Sequence, residues 1–309
     1  MIAPNTPYTR LMRRAAIVLL AFSACHTPNP GTVRGKTHSG RSYLVHAPAG
    51  KRASEAERPL LIMLHGRLGT GMETERHTHL TAIADREGFV VVYPDGIDRS
   101  WHDRREEGPA AEQHIDDVAF ISTLIDTMVR EQNVDPKRVY VAGISNGGMM
   151  TFRLACELSE KITAVGAVIS ALPESGAAEC KPSHPMSLVM FAGTEDPLVP
   201  YNGGEVTGHR GKVLGADTTR QKFADLDGCG PPQAPVHYDR IPDDETAVTE
   251  IAHVGCQANT EVRLFSIEGG GHTWPGGPQY LSKSRIGRVS RELDMSEELW
   301  KFFSRQPAR

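Results

Sequence analysis

Along this chain, short unbroken apolar runs alternate with longer stretches in which apolar residues return every three or four positions. Leu60-Leu61-Ile62-Met63-Leu64, Phe89-Val90-Val91-Val92-Tyr93, Val139-Tyr140-Val141-Ala142, Ser187-Leu188-Val189-Met190-Phe191-Ala192 and the segments 163–170 and 261–267 have strand length and little polar alternation. Such runs suit strands covered on both faces, as in parallel sheets. Segments 74–87, 116–132 and 294–304 carry helical spacing, and in the second Val118, Phe120, Ile121, Leu124, Ile125 and Met128 fall on one side. Asp116 or Asp117 stands where a cap is needed. Before them, 33–46 reads as an antiparallel hairpin turning at His38-Ser39-Gly40. The strand through Val139 is expected to begin after Asp135-Pro136. Strand and helix taking turns predict an α/β fold, a doubly wound and mainly parallel sheet with helices on both faces. Residues 197–260 are less regular, with one helix near 217–226, a Gly/Cys/Pro turn cluster and one hairpin, and read as an insertion rather than a second core.

Composition narrows the class. The 309 residues form one catalytic-size domain over 35–305, and the formal net charge of -4 leaves no basic field for nucleic acid. Residues 1–25 carry an address: Arg10, Arg13 and Arg14 precede the apolar run 15–22, which ends Phe22-Ser23-Ala24-Cys25. This resembles a bacterial lipoprotein signal, with Cys25 lipidated as a membrane tether, while plain cleavage after Ala24 is the alternative. Residues 26–34, rich in Pro, Thr, Asn and Gly, read as a tether. Export is the expected destination, whether secreted, periplasmic or membrane-anchored. The remaining cysteines, Cys156, Cys180, Cys229 and Cys256, are even in number, and sequence-local pairing (156 with 180, 229 with 256) is the expected connectivity out of three.

The chemistry gathers at strand ends. Val139-Tyr140-Val141-Ala142-Gly143-Ile144-Ser145-Asn146-Gly147-Gly148-Met149-Met150 runs from a strand through Gly-x-Ser-x-Gly into a helix-compatible run. A serine on such a turn stands above the sheet edge as a nucleophile, and the small neighbours let strand and helix pass closely. Its hydroxyl needs a base, and the base needs an acid to orient it. In this kind of sheet the acid and then the histidine follow the serine in the chain, each after a later strand. Asp196, in Gly193-Thr194-Glu195-Asp196-Pro197, fits the acid slot, with Glu195 as its competitor. His272, in Glu268-Gly269-Gly270-Gly271-His272-Thr273-Trp274, fits the base slot, and the three glycines suit a mobile or oddly angled loop carrying the ring over the serine. The oxyanion hole should use the amides of Asn146 and of Arg67 in His65-Gly66-Arg67. Trp101 and Trp274 lie in loops expected to border the site as aromatic walls for substrate. No cofactor and no metal is required.

Taken together, these residues resemble the secreted polyhydroxybutyrate depolymerase and feruloyl esterase family of α/β-hydrolases. Carrying the resemblance are Leu64-His65-Gly66, Ala84-Asp85-Arg86-Glu87-Gly88-Phe89, Tyr93-Pro94-Asp95-Gly96, Ser100-Trp101, Asp116-Asp117-Val118, the serine motif, Gly193-Thr194 with Asp196-Pro197 and Val199-Pro200-Tyr201, and Gly269-Gly270-Gly271-His272-Thr273-Trp274-Pro275-Gly276. They span about 35–280 in the family's order. The resemblance implies a carboxylic ester hydrolase acting on feruloyl or acetyl esters of polysaccharides or on short hydroxyalkanoate esters, so the partner is an ester substrate, polymeric or small. Arg67 departs from the usually small residue there, and its side chain either reaches the acyl pocket or stands in solvent. A serine peptidase of the same fold and a non-catalytic polymer-binding surface lipoprotein are the rival readings.

Overall fold

The computed structural model describes residues 27–49 and 57–308. The leader, with Cys25, lies outside the described residues. Among the described residues the strands are β1 (Thr32–Lys36), β2 (Ser42–His46), β3 (Arg58–Leu64), β4 (Val90–Pro94), β5 (Val134–Ile144), β6 (Ala164–Val168), β7 (Ser187–Gly193), β8 (Gly204–Glu205), β9 (Lys212–Val213), β10 (Val236–Tyr238), β11 (Ala247–His253) and β12 (Val262–Glu268). The helices are α1 (Gly71–Thr78), α2 (Leu80–Glu87), α3 (Pro109–Glu112), α4 (Asp117–Gln132), α5 (Asn146–Glu157), α6 (Glu174–Ala177), α7 (Ala216–Leu226), α8 (Lys283–Ile286) and α9 (Met295–Ser304).

Ten strands make one sheet in the order β1-β2-β4-β3-β5-β6-β7-β12-β11-β10, and β8 with β9 forms a separate ribbon. The six central strands, β4 to β12 in that order, are parallel, and the two edges are antiparallel. The chain reverses its direction of winding at β3, so the loops after β3 and β5 leave adjacent strand ends. Sites in open α/β sheets form at such switch points, outside the carboxyl ends of the strands.

The unbroken apolar runs are explained by cover on both faces. Along β3, Leu60, Ile62 and Leu64 join a core with Phe120, Ile121 and Leu124 of α4, Phe152 of α5 and Phe223 of α7. Leu61 and Met63 point the other way, into a core with Leu80 and Ile83 of α2 and Leu299, Trp300 and Phe303 of α9. Asp116 caps α4 by accepting from the Ala119 amide at 2.9 Å.

Several boundaries differ from the pattern reading. The helix expected over 74–87 is two, broken at His79 with φ 53°. Each half buries its own face: α1 seats Gly71, Thr74, Glu75 and Thr78, whereas α2 seats Leu80, Thr81, Ile83 and Ala84. Strand β5 already begins at Val134, before Asp135-Pro136, and a register shift between Arg58 and Leu60 on β3 absorbs the proline. The expected tether is docked within its described part: the Asn29 amide reaches Glu75, Arg76 donates to the Thr27 carbonyl, and from Thr32 the chain is strand. Nor is 197–260 wholly an insertion. Its hairpin β10–β11 extends the main sheet beside β12, and α7 packs on β12 and β7. What remains outside the sheet is the segment around β8 and β9. Disulfides join Cys156 to Cys180 and Cys229 to Cys256, the sequence-local pairing.

Candidate active site

Four loops at the carboxyl edge of the sheet meet at one pocket of about 430 Å³, whose wall includes Gly66, Arg67, Ser145, Leu198, Arg210, His272 and Trp274. Ser145 sits between β5 and α5 with φ 55° and ψ -119°, a conformation a non-glycine residue holds only when its surroundings enforce it. Enforcement is visible. The Ser145 amide donates to Val168 O at 2.9 Å, and Ser145 O accepts from the Met149 amide at 2.9 Å. A Cβ at Gly143 would stand 2.2 Å from Gly147 O, and one at Gly147 would stand 2.5 Å from His65 O and 2.6 Å from Leu64 O. The turn therefore needs glycine at both places, and that closeness presses α5 against the loop after β3.

Asp196 and His272 leave the neighbouring parallel strands β7 and β12, paired up to Gly193 and Ile267. Asp196 Oδ2 lies 2.7 Å from His272 Nδ1, and its Oδ1 accepts from the amides of Leu198 at 2.7 Å and Val199 at 2.9 Å. With the carboxylate accepting at Nδ1, that nitrogen carries the proton and Nε2 keeps its lone pair. Among the described residues no hydrogen bond joins Ser145 Oγ to the ring; such contacts commonly close only with substrate in place. Glu195 points away and is paired with Arg288 at 2.8 Å on the exposed surface.

The glycines before His272 are not a hinge. A Cβ on Gly270 would meet Ile267 Cγ2 at 2.4 Å, and one on Gly271 would meet Ile286 O at 2.1 Å. The Gly271 and His272 amides donate to Arg288 O and Ile286 O at 2.9 and 2.6 Å. Tyr280 Oη adds a 3.0 Å hydrogen bond to the His272 carbonyl. These glycines serve close approach, and the loop is pinned.

The loop after β3 is equally fixed. His65 Nε2 accepts from the Gly96 amide at 2.9 Å, so the proton sits on Nδ1, which donates to Gly66 O at 2.8 Å. Burial holds the His65 ring below the usual histidine pKa, which keeps this neutral tautomer. Trp101 Nε1 donates to His65 O at 2.9 Å, and the Trp101 main chain exchanges two hydrogen bonds with the Asn146 side chain, at 2.9 and 3.0 Å. Asn146 also donates to Asp103 at 2.6 Å. Gly66 thus lies against Ser145, with 3.5 Å between a hypothetical Gly66 Cβ and Ser145 Cβ. The Arg67 amide follows directly, at the second position of a turn closed by Gly69 N to Gly66 O at 2.9 Å.

Trp101 accordingly does not border the pocket. It is buried beneath the loop, near His65 at 4.9 Å between rings and Phe120 at 6.4 Å, and it braces the site from below. Trp274 does line the pocket, and so does Arg67, whose guanidinium lies near Gly108. Pattern reading had no means of finding Leu68, Tyr280, Leu281 and Arg210, which complete the wall from irregular segments. Leu68, Tyr280 and Leu281 are also among the few exposed large apolar residues, so the rim is apolar.

The chain is similar to known esterases. Residues 41–189 match the family model described as Esterase PHB depolymerase. Feruloyl esterase B of Piromyces equi is 31% identical over 238 residues, covering 75% of this chain and 42% of that protein. The provisionally named esterase NocK of Nocardia uniformis subsp. tsuyamanensis is 29% identical over 283 residues, covering 89% of this chain and 81% of its own. The chain thus spans less than half of the Piromyces protein. Among solved structures, an acetyl xylan esterase from Aspergillus awamori superposes with a TM-score of 0.57 at 14% identity, over 88% of this chain and 98% of that one, which shows a shared fold.

Proposed function

We propose that this chain, which matches the Esterase PHB depolymerase family model over residues 41–189, is a serine carboxylic-ester hydrolase working through an acyl-enzyme. Its substrates on this reading are feruloyl or acetyl esters of polysaccharides, or short hydroxyalkanoate esters. The observation that carries the reading is the 2.7 Å hydrogen bond from His272 Nδ1 to Asp196, on a ring that lines the same pocket as Ser145. Ser145 Oγ attacks the ester carbonyl while His272 Nε2 takes its proton; the imidazolium, stabilised by Asp196, then protonates the leaving alcohol. Water, activated by the same ring, releases the acid and restores Ser145. The amides of Asn146 and Arg67 would hold the oxyanion, each worth about 2.7 to 4 kcal/mol in the transition state. Apolar side chains of Leu198, Trp274, Tyr280 and Leu281 suit a phenolic ring or a short acyl chain. The two disulfides support an exported protein.

The test is hydrolysis of p-nitrophenyl acetate and butyrate, methyl ferulate, acetylated xylan and hydroxybutyrate oligomers by wild type beside Ser145→Ala. Turnover of at least one ester is expected, with kcat falling by about 10⁵ to 10⁶ in the variant. A Ser145→Ala protein that keeps the wild-type rate would sink the proposal, and turnover of amides in preference to esters would move it to peptidase chemistry.

A further inference from the structure

Two arginines in the pocket wall lack the acid partner that Arg41, Arg105 and Arg263 hold elsewhere in the chain. Arg41 is paired with Asp117, Arg105 with Asp103, and Arg263 with Glu250 and Glu261. Arg67 and Arg210 are half-buried, both line the pocket beside Ser145, and neither makes an ion pair among the described residues. The carboxylate in that wall, Glu73, is already engaged by Arg99 at 3.2 Å and by Thr70 at 3.0 Å. Burial, then the charges of Arg67 and Arg105, hold Arg210 below the ordinary arginine value. The Arg67 guanidinium lies near Gly108 and that of Arg210 near Gly208, and two like charges close enough to act on each other in a half-desolvated wall are unfavourable unless an anion joins them.

Arg210 is also held there. Its carbonyl accepts from Arg105 Nη1 at 2.7 Å; Arg105 grips Asp103 through Nε at 2.9 Å and Nη2 at 2.6 Å. Asp103 in turn accepts from Asn146, the residue after the nucleophile, at 2.6 Å. One buried network therefore ties the segment carrying Arg210 to the turn carrying Ser145. Guanidinium groups present planar donor pairs that match a carboxylate.

We propose that Arg67 and Arg210 form a carboxylate subsite within the substrate pocket, so that the preferred ester carries a free carboxylate of its own. The proposal rests on the esterase reading. The carboxylate can sit on the acyl side, as in a half-ester of a dicarboxylic acid, or on the alcohol side, as in a hydroxy-acid chain end or a uronate.

The experiment has two arms. One compares kcat/KM for mono-p-nitrophenyl glutarate with p-nitrophenyl valerate; the other compares a 3-hydroxybutyrate dimer bearing its free carboxylate with the methyl ester of the same dimer. Wild type is expected to prefer the anionic member by about tenfold or more in one arm, and the preference to fall about tenfold in Arg67→Gln and in Arg210→Gln. It should also shrink as salt rises from about 0.02 to about 0.5 M. No preference in either arm, or one that both substitutions leave intact, overturns the subsite while leaving the esterase reading standing. Should wild type hydrolyse no ester, calorimetric titration of Ser145→Ala with glutarate decides the subsite alone. Saturable binding that Arg210→Gln removes supports it, and no saturable binding overturns it.

Discussion

Asp196 does two things with its two oxygens, and that division makes its replacement informative. Oδ1 is committed to the amides of Leu198 and Val199, so only Oδ2 faces the ring. In Asp196→Asn the amide oxygen stays with those two donors, and the NH₂ then faces His272 Nδ1. The ring must move its proton to Nε2, the atom that should accept from Ser145. We expect kcat to fall by about 10⁴ with KM little changed and the fold intact by circular dichroism; a loss below tenfold would mean that Asp196 does not set the tautomer. The acid was legible from its place after a strand and before Pro197. The role of His65 was not, because nothing in Leu64-His65-Gly66 tells that Gly96 will donate to its ring.

At the scale of the element, the turn from β5 to α5 was the most legible feature of the chain, since strand, serine and helix are contiguous. The glycines around it were read as letting strand and helix pass closely, which holds for Gly143 against Gly147, yet Gly147 is required by the loop after β3. A methyl group there would stand against His65 O and Leu64 O at 2.5 and 2.6 Å. Gly147→Ala should therefore push the oxyanion loop away, costing about 1 to 3 kcal/mol and lowering Tm by roughly 3 to 10 °C, with kcat reduced more than KM is raised. Unchanged thermal unfolding together with wild-type kcat would refute this contact as the reason for the glycine. Of the two readings of Gly269-Gly270-Gly271, the mobile loop fails and the oddly angled one holds, with Gly269 at φ 69°: the neighbours Ile267, Ile286 and Gly287 occupy the space that flexibility would use.

Across the whole molecule, charge burial far from the pocket sets a pH dependence of stability. Asp227, at the end of α7, is 1% exposed; Oδ1 accepts from the Met186 amide at 2.9 Å, while Oδ2 is buried without a partner. Burial pushes its pKa up to about 6, above the ordinary aspartate value. The folded state thus binds this proton more tightly than the unfolded chain. Its contribution favours folding fully below about pH 4 and is lost as pH rises through about 6. Asp227→Asn keeps an acceptor for Met186 and removes the charge. It should stabilise the protein at pH 8 by an amount on the order of 2 kcal/mol and hardly at all at about pH 3.5, which thermal unfolding at the two pH values checks. Equal shifts at both would show that the carboxyl titrates normally.

The sequence by itself determined the class of fold and the disulfide pairs, and it pointed to Ser145, Asp196 and His272 as the candidate nucleophile, acid and base. Each is announced by short-range patterns: an apolar run of strand length, a turn residue at its end, a cysteine near another. Tertiary structure alone decided that Trp101 braces the loop after β3 instead of walling the pocket, that β10 and β11 extend the main sheet, and that Arg67 and Arg210 line one pocket. The reason is the winding order. Reversal at β3 brings the ends of β3 and β5 together, and the parallel pairing of β7 with β12 brings Asp196 to His272. Segments between strands are then pulled over those ends by long-range hydrogen bonds, such as the one from Arg105 to the Arg210 carbonyl, which no local pattern encodes.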